Sequence, residues 1–224
     1  KVLLHYGSGS IKKTGLYDRV KNSLITSGIE FVELSGVEPN PRVSVVKEGI
    51  ELCRKESVDV ILAVGGGSVI DSAKAIAIGV SHMGDVWDFF EGKIKIKSAL
   101  PLGVVLTIPA AGSETSPHTV ITNVEQGKKY GIGSFLLRPK FAILNPELCY
   151  TLPAYQTACG VVDMFSHILE RYFSTDPEGD LTDRLCEATM QSIIKNVLLV
   201  LKSPQDYAPR AELMWAGTIA HNDI

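Results

Sequence analysis

The stretch DVILAVGGGSVIDSAKAIA, Asp59 to Ala77, runs a continuous apolar segment into Gly65, Gly66 and Gly67 and then straight into a helical pattern. An apolar run without alternation reads as a central strand covered on both faces, which is the hallmark of a parallel sheet. Ser68 stands where a helix N-cap is expected, with Val69, Ala73, Ile76 and Ala77 on the inward face. Glycines at such a junction let a ligand approach the backbone, and the helix start offers N–H groups with partial positive charge. A pyrophosphate suits that place. A tight turn that lets strand and helix pack explains the same glycines without a ligand. The spacing is neither the G-x-G-x-x-G fingerprint nor a P-loop.

The surrounding chain repeats the strand-to-helix alternation of βαβ units from Val2 to about Thr151. Strands are expected at Val2–Tyr6, Phe31–Leu34, Asp59–Val64, Val104–Ile108, Thr119–Thr122 and Phe141–Leu144, and amphipathic helices at Gly15–Ser27 and Val43–Lys55. A polar connection follows Ala77, and Lys93, Lys95 and Lys97 mark a solvated edge or loop. Beyond Pro153 the strand signal stops, and Gly160–Phe173, Asp180–Lys202 and Pro209–Ala220 read as helices. The fold class is therefore α/β over residues 1–152, followed by an all-helical region over 153–224.

Two further small-residue turns follow strands. YGSGS, Tyr6–Ser10, carries Ser8 and Ser10 with Lys12 and Lys13 close behind and no carboxylate. An acid after an early strand suits the ribose 2′-hydroxyl of NAD, whereas small or basic groups admit a 2′-phosphate, so this turn leans towards NADP. TIPAAGSETS, Thr107–Ser116, is the third. Three such turns at strand ends match the way open α/β sheets bind one extended nucleotide. Each of them is also compatible with an ordinary turn.

A formal net charge of −3 carries no basic excess that would concentrate nucleic acid or an anionic membrane, which leaves small solutes as the expected partners. No apolar run reaches the roughly 18 residues of a membrane helix. The four cysteines, Cys53, Cys149, Cys159 and Cys186, form no C-x-x-C pair and are too sparse for a disulfide scaffold, so a reducing cytoplasm is expected. The chain opens on Lys1 rather than Met.

In ACGVVDMFSHILERYF, Asp163 and His167 stand at i and i+4, so a helix presents both on one face. Hard and borderline donors in that arrangement suit Fe²⁺ or Zn²⁺. An Asp–His pair without metal is the competing reading, and a catalytic site needs at least three protein ligands. Of the other histidines, His5 lies in a strand and His82 in a connection, where both read as structural or solvated. His118 stands near the third turn, and nothing local connects His221 to Asp163.

Taken together, YGSGSIKKTG, EPNPRV, AVGGGSVIDSAKAIA, IPAAGSETS, NPELCYTLP and GVVDMFSHILE resemble the iron-containing (group III) alcohol dehydrogenases, in order over nearly the whole chain. The nearest branch is the NADP(H)-dependent butanol dehydrogenase-like aldehyde reductases. The resemblance implies a Rossmann-like nucleotide-binding domain, a dehydroquinate synthase-like helical domain and a catalytic cleft. It implies a pyrophosphate at Gly66, Gly67 and Ser68, with Asp71 towards the nicotinamide. Ser8 and Ser10 are implied at the adenosine ribose and its 2′-phosphate, and Asn40 near the adenosine. Thr107, Ala111, Ser113, Ser116, Lys129 and Leu148 are implied along the cofactor. Ala110–Ala111 replaces the family's hydroxyl-bearing pair, so one contact is expected to be missing. Asp163 and His167 match the first two metal ligands, whereas the family's two further histidines fall beyond Ile224. The chain is thus expected to be a truncated fragment of a cytoplasmic, homodimeric oxidoreductase, inactive by itself. The expected reaction is hydride transfer between a primary alcohol and NADP⁺, with aldehyde reduction as its reverse. A glycerol dehydrogenase-like or dehydroquinate synthase-like NAD enzyme and a non-catalytic nucleotide-binding module are the alternatives.

Overall fold

The computed structural model describes residues 1–173 and 179–222 and divides into two compact units, Lys1–Val105 with Ser116–Ile143, and Leu106–Thr115 with Leu144–Ile224. In the first unit the elements run β1 (Val2–Gly7), α1 (Ser10–Lys13), α2 (Leu16–Thr26), β2 (Phe31–Val37), α3 (Val43–Lys55), β3 (Val60–Gly65), α4 (Gly67–Gly79), α5 (Trp87–Phe90), β4 (Leu102–Leu106), β5 (His118–Asn123), β6 (Lys128–Gly133) and β7 (Phe141–Ile143). Five strands form one sheet in the order β2-β1-β3-β4-β7. β1 pairs in parallel with β2 and with β3, and β4 pairs in parallel with β7. Leu3, Leu4, Ile61, Ala63, Val64 and Val104 are fully buried, as strands covered on both faces require.

Helix α4 is enclosed on nearly every side, and from Val69 to Gly79 only Asp71 is not buried. It locks onto α3 through two glycines. A Cβ on Gly49 would fall 2.4 Å from Ile76 Cδ1, and one on Gly79 would fall 2.1 Å from Ile50 Cδ1. Each helix thus seats its isoleucine in the other's bare position. His5 is fully buried in β1, with Nδ1 3.0 Å from the Leu34 carbonyl and Nε2 2.9 Å from Ser72 Oγ.

Elements β5, β6 and α5 differ from the sequence expectation. The strand foreseen at Thr119–Thr122 is β5, which leaves the parallel sheet and pairs antiparallel with β6. β6, KKYGIG, carries two glycines and two lysines and is mostly exposed, so it lacks the apolar alternation that marks a strand. The connection after Ala77, read as polar, contains α5, whose Trp87, Phe89 and Phe90 are buried. Trp87 stacks on Phe90 at 5.2 Å and on Tyr130 of β6 at 5.6 Å, and its Nε1 donates to Gln126 Oε1. Lys93, Lys95 and Lys97 lie in the loop that follows, outside any strand.

The second unit consists of α6 (Ala154–Tyr172), α7 (Asp180–Lys202) and α8 (Tyr207–Ala220), preceded by a short 3-10 turn at Pro146–Cys149. Met164, Ile168, Cys186, Ile193, Val200, Leu213, Ala216 and Ala220 form its core. Asp206 caps α8 by accepting from the Ala208 N–H. Leu106–Thr115, which holds the third small-residue turn except its last residue Ser116, belongs to the same unit as these helices. A Cβ on Gly160 would meet the Pro109 carbonyl at 2.6 Å, and Glu114 Oε1 accepts from Thr218 Oγ1 at 2.6 Å. Small residues at these positions therefore serve close backbone approach.

Candidate functional site

In the first unit the chain passes from β1 outward to β2, returns past β1 to β3, and continues away from it, so the direction of winding reverses between β1 and β3. At such a switch point the connections diverge and leave a crevice outside the carboxyl ends of the strands, where open α/β sheets take their ligands. Tyr6 lies opposite Val64, so the turns beginning at Gly7 and at Gly65 are neighbours in that crevice.

The glycines of the second turn divide the two readings of the sequence between them. A Cβ on Gly65 would fall 2.6 Å from Val69 Cγ2, so this residue is bare because α4 packs against it. A Cβ on Gly67 would meet nothing within 4 Å, so packing gives no reason for its absence there. The N-cap position belongs to Gly66, in extended conformation, and no side chain caps α4. Ser68 sits in the first turn of the helix instead of at the cap expected for it. The strand ends one residue later than expected, at Gly65, and the helix starts two residues earlier, at Gly67. The helix start thereby keeps its N–H groups clear of any capping side chain, which suits an external anion.

Ser8 and Ser10 are exposed in the neighbouring turn. Behind them, the Lys12 ammonium stands 5.3 Å over the Tyr6 ring and 4.9 Å over the Tyr17 ring. Both tyrosine hydroxyls donate to Glu33. Burial works to raise the Glu33 carboxyl, but the two hydroxyls together with Lys21 and Lys12 outweigh it and hold its pKa below the usual range. Asn40, at φ 58°, accepts from Lys129 Nζ at 2.8 Å, so these two sequence-identified residues meet directly. Asp71 Oδ2 accepts from the Val120 N–H at 3.0 Å, and its carbonyl accepts from Thr119 Oγ1 at 2.8 Å. Ser116 is buried, and both its oxygens accept from Lys74 Nζ, at 2.9 Å to the carbonyl and 3.4 Å to Oγ. Sequence reasoning passed over Lys74. Its one signal was a lysine inside the otherwise apolar face of DSAKAIAIG.

Thr107, Ala111, Ser113 and Leu148 belong to the helical unit. Ser113 is buried, the Thr107 carbonyl faces Cys149 Sγ at 3.5 Å, and Leu148 lies half-buried in the 3-10 turn. On α6, His167 Nε2 stands 3.7 Å from Asp163 Oδ1, with the carboxylate side chain 48% exposed and the imidazole 25%. That is longer than a hydrogen bond, so the two donors share a face without satisfying each other. The donor types fit a divalent cation, but two donors fill only part of a coordination shell. Among the described residues, no group of three or more His, Cys, Asp or Glu side chains is arranged to hold a metal. The His221 ring lies 4.5 Å from the His167 ring, a proximity with no local sequence signal. Arg171, which donates to the carbonyls of His167 and Ala220, ties α6 to the end of α8 there.

A switch-point crevice lined by glycine turns, in a chain whose helical unit sets a carboxylate and an imidazole on one helix face, defines an open parallel α/β protein with a helical second unit. Family comparison agrees: residues 1–146 match the iron-containing alcohol dehydrogenase model, and residues 157–223 match the C-terminal model of the same family. The chain belongs to the iron-containing alcohol dehydrogenase family. It is 50% identical to a probable NADH-dependent butanol dehydrogenase of Bacillus subtilis, over 99% of this chain and 57% of that protein. It is 40% identical to the NADPH-dependent aldehyde reductase YqhD of Escherichia coli, over 100% of this chain and 58% of that one. The crystal structure of NADH-dependent butanol dehydrogenase A from Thermotoga maritima superposes with a TM-score of 0.94 at 50% identity, covering 98% of this chain and 55% of that one. The chain thus spans a little over half the length of these relatives. Among the described residues, no helix is long and apolar enough to cross a membrane.

Proposed function

We propose that this chain carries the dinucleotide-binding region, over residues 1–152, and the opening of the metal-binding helical region, over 153–224, of an alcohol dehydrogenase acting in the direction of aldehyde reduction. The juxtaposition of the Gly7–Ser10 and Gly65–Ser68 turns at the β1/β3 switch point carries this reading. The N–H groups at the start of α4 hold the diphosphate, and the open space at Gly67 lets the backbone come within hydrogen-bonding reach of it. Ser8 and Ser10, with no carboxylate in their turn and Lys12 held nearby, receive the adenosine ribose and admit a 2′-phosphate, which favours NADP(H). Asp163 and His167 are two ligands for Fe²⁺ or Zn²⁺. When bound, the nicotinamide carries the hydride and the cation supplies Lewis acidity to the substrate oxygen. The activities for which these relatives are named, butanol dehydrogenase and aldehyde reductase, support a small aliphatic aldehyde as substrate.

The deciding experiment titrates the chain with NADPH and NADH and then assays butyraldehyde reduction with added Fe²⁺ or Zn²⁺. Nucleotide binding with the tighter Kd for NADPH, without turnover, is the expected result. A tighter Kd for NADH would remove the NADP assignment. Turnover that survives Asp163→Ala would remove the metal assignment.

A further inference from the structure

The β5–β6 hairpin stands outside the parallel sheet, so no ladder ties its leading end to the nucleotide-binding body. Two residues of α4, three positions apart, do so instead. Lys74, fully buried, donates to the carbonyls of Ser116 at 2.9 Å and His118 at 2.7 Å. Asp71 accepts from the Val120 N–H with its carboxylate and from Thr119 Oγ1 with its carbonyl. Every residue from Ser116 to Val120 except Pro117 is thereby fastened to the helix whose first turn faces the crevice. At the far end the hairpin is held separately, by the Arg42–Thr122 bridge and the Thr122 N–H to Pro41 carbonyl bond.

A fully buried ammonium is expensive to desolvate and does not persist as a surface accident. Its bonds to backbone carbonyls fix main-chain position irrespective of the side chains there. If a dinucleotide lies across the carboxyl ends of the strands with one half over β1 and β2 and its diphosphate at α4, the other half extends towards β4 and the segment that follows it. We propose that Lys74 is a positioning residue: it holds Ser116–Val120 as the wall along the nicotinamide half of the bound dinucleotide, while leaving the diphosphate and adenosine contacts untouched. This rests on the dinucleotide reading above.

The test compares whole cofactor with cofactor lacking nicotinamide. In the 224-residue chain, NADH and ADP-ribose, and NADPH and 2′-phospho-ADP-ribose, are titrated against wild type, Lys74→Met and Lys74→Arg. Amide hydrogen exchange is followed over Ser116–Val120. Lys74→Met is expected to weaken the dinucleotides about tenfold, the scale of losing a charge-assisted hydrogen bond, while the truncated ligands change by less than about twofold. Exchange at Ser116–Val120 should rise in the same variant, and Lys74→Arg, which keeps donors, should recover part of both effects. Equal weakening of whole and truncated ligands marks a merely structural lysine and overturns the proposal, as does no weakening of either. If wild type binds none of the four ligands, the dinucleotide reading itself falls and the proposal with it. Unchanged exchange in Lys74→Met would overturn the holding role alone. Should Lys74→Met fail to fold, Thr119→Val, nearly isosteric and lacking only the hydroxyl bonded to Asp71, is expected to show the same selective loss; an even loss overturns the proposal.

Discussion

His5 illustrates how one residue carries a pH dependence that its neighbours in sequence do not announce. Burial removes its ring from water and pushes the pKa from 6.5 down to about 4, against the smaller upward pull of the Leu34 carbonyl. With Nδ1–H donating to Leu34, Nε2 is the acceptor for the Ser72 hydroxyl, and the neutral ring satisfies both partners. The folded pKa lies below the unfolded one, so this stabilisation is complete above pH 6.5 and is lost as pH falls towards 4. Between pH 7 and pH 5 His5 should cost the fold about 2 kcal/mol. Urea unfolding at the two pH values measures the loss, and His5→Gln should flatten that part of the slope. The sequence located His5 in a strand and left open whether it is structural. Its partners decide that, and they lie on β2 and α4.

Helix and strand limits were most legible where a periodic pattern was long and bounded by turn residues. The helices expected over Val43–Lys55 and Asp180–Lys202 appear with those limits. α6 begins earlier than expected, at Ala154, where the exposed Ala154, Tyr155 and Gln156 add no inward apolar stripe to the pattern that follows. At the β3–α4 junction the glycines look alike in sequence but have different work, and substitution should separate them. Gly65→Ala drives a Cβ into Val69 and should destabilise by about 1–3 kcal/mol. Gly67→Ala meets empty space and replaces a poor helix former, so stability should hold or rise by up to about 1 kcal/mol. Nucleotide affinity should respond in the opposite sense, falling about tenfold in Gly67→Ala while Gly65→Ala loses affinity only as far as it unfolds. Paired thermal melts and NADPH titrations read both quantities.

Across the chain as a whole, the helical unit buries one side of α7 in its core and presents another to solvent, where Ile194, Leu198 and Leu201 stand at i, i+4 and i+7. An exposed apolar stripe of this kind promotes association. Replacing Ile194 and Leu198 with lysine should reduce concentration-dependent self-association in sedimentation velocity while changing stability by less than about 0.5 kcal/mol, since neither side chain supports the core. The local patterns lay in the sequence alone: apolar periodicity, the glycine turns, and Asp163 and His167 one helical turn apart, with motifs ordered closely enough to show the resemblance. These features depend on residues near one another along the chain, where spacing becomes geometry directly. Tertiary structure decided which strands became neighbours, and so which turns share the switch-point crevice. It also brought His221 against His167 and Lys74 beneath Ser116, because contacts closed across dozens of residues depend on how elements pack and leave no local periodicity to read.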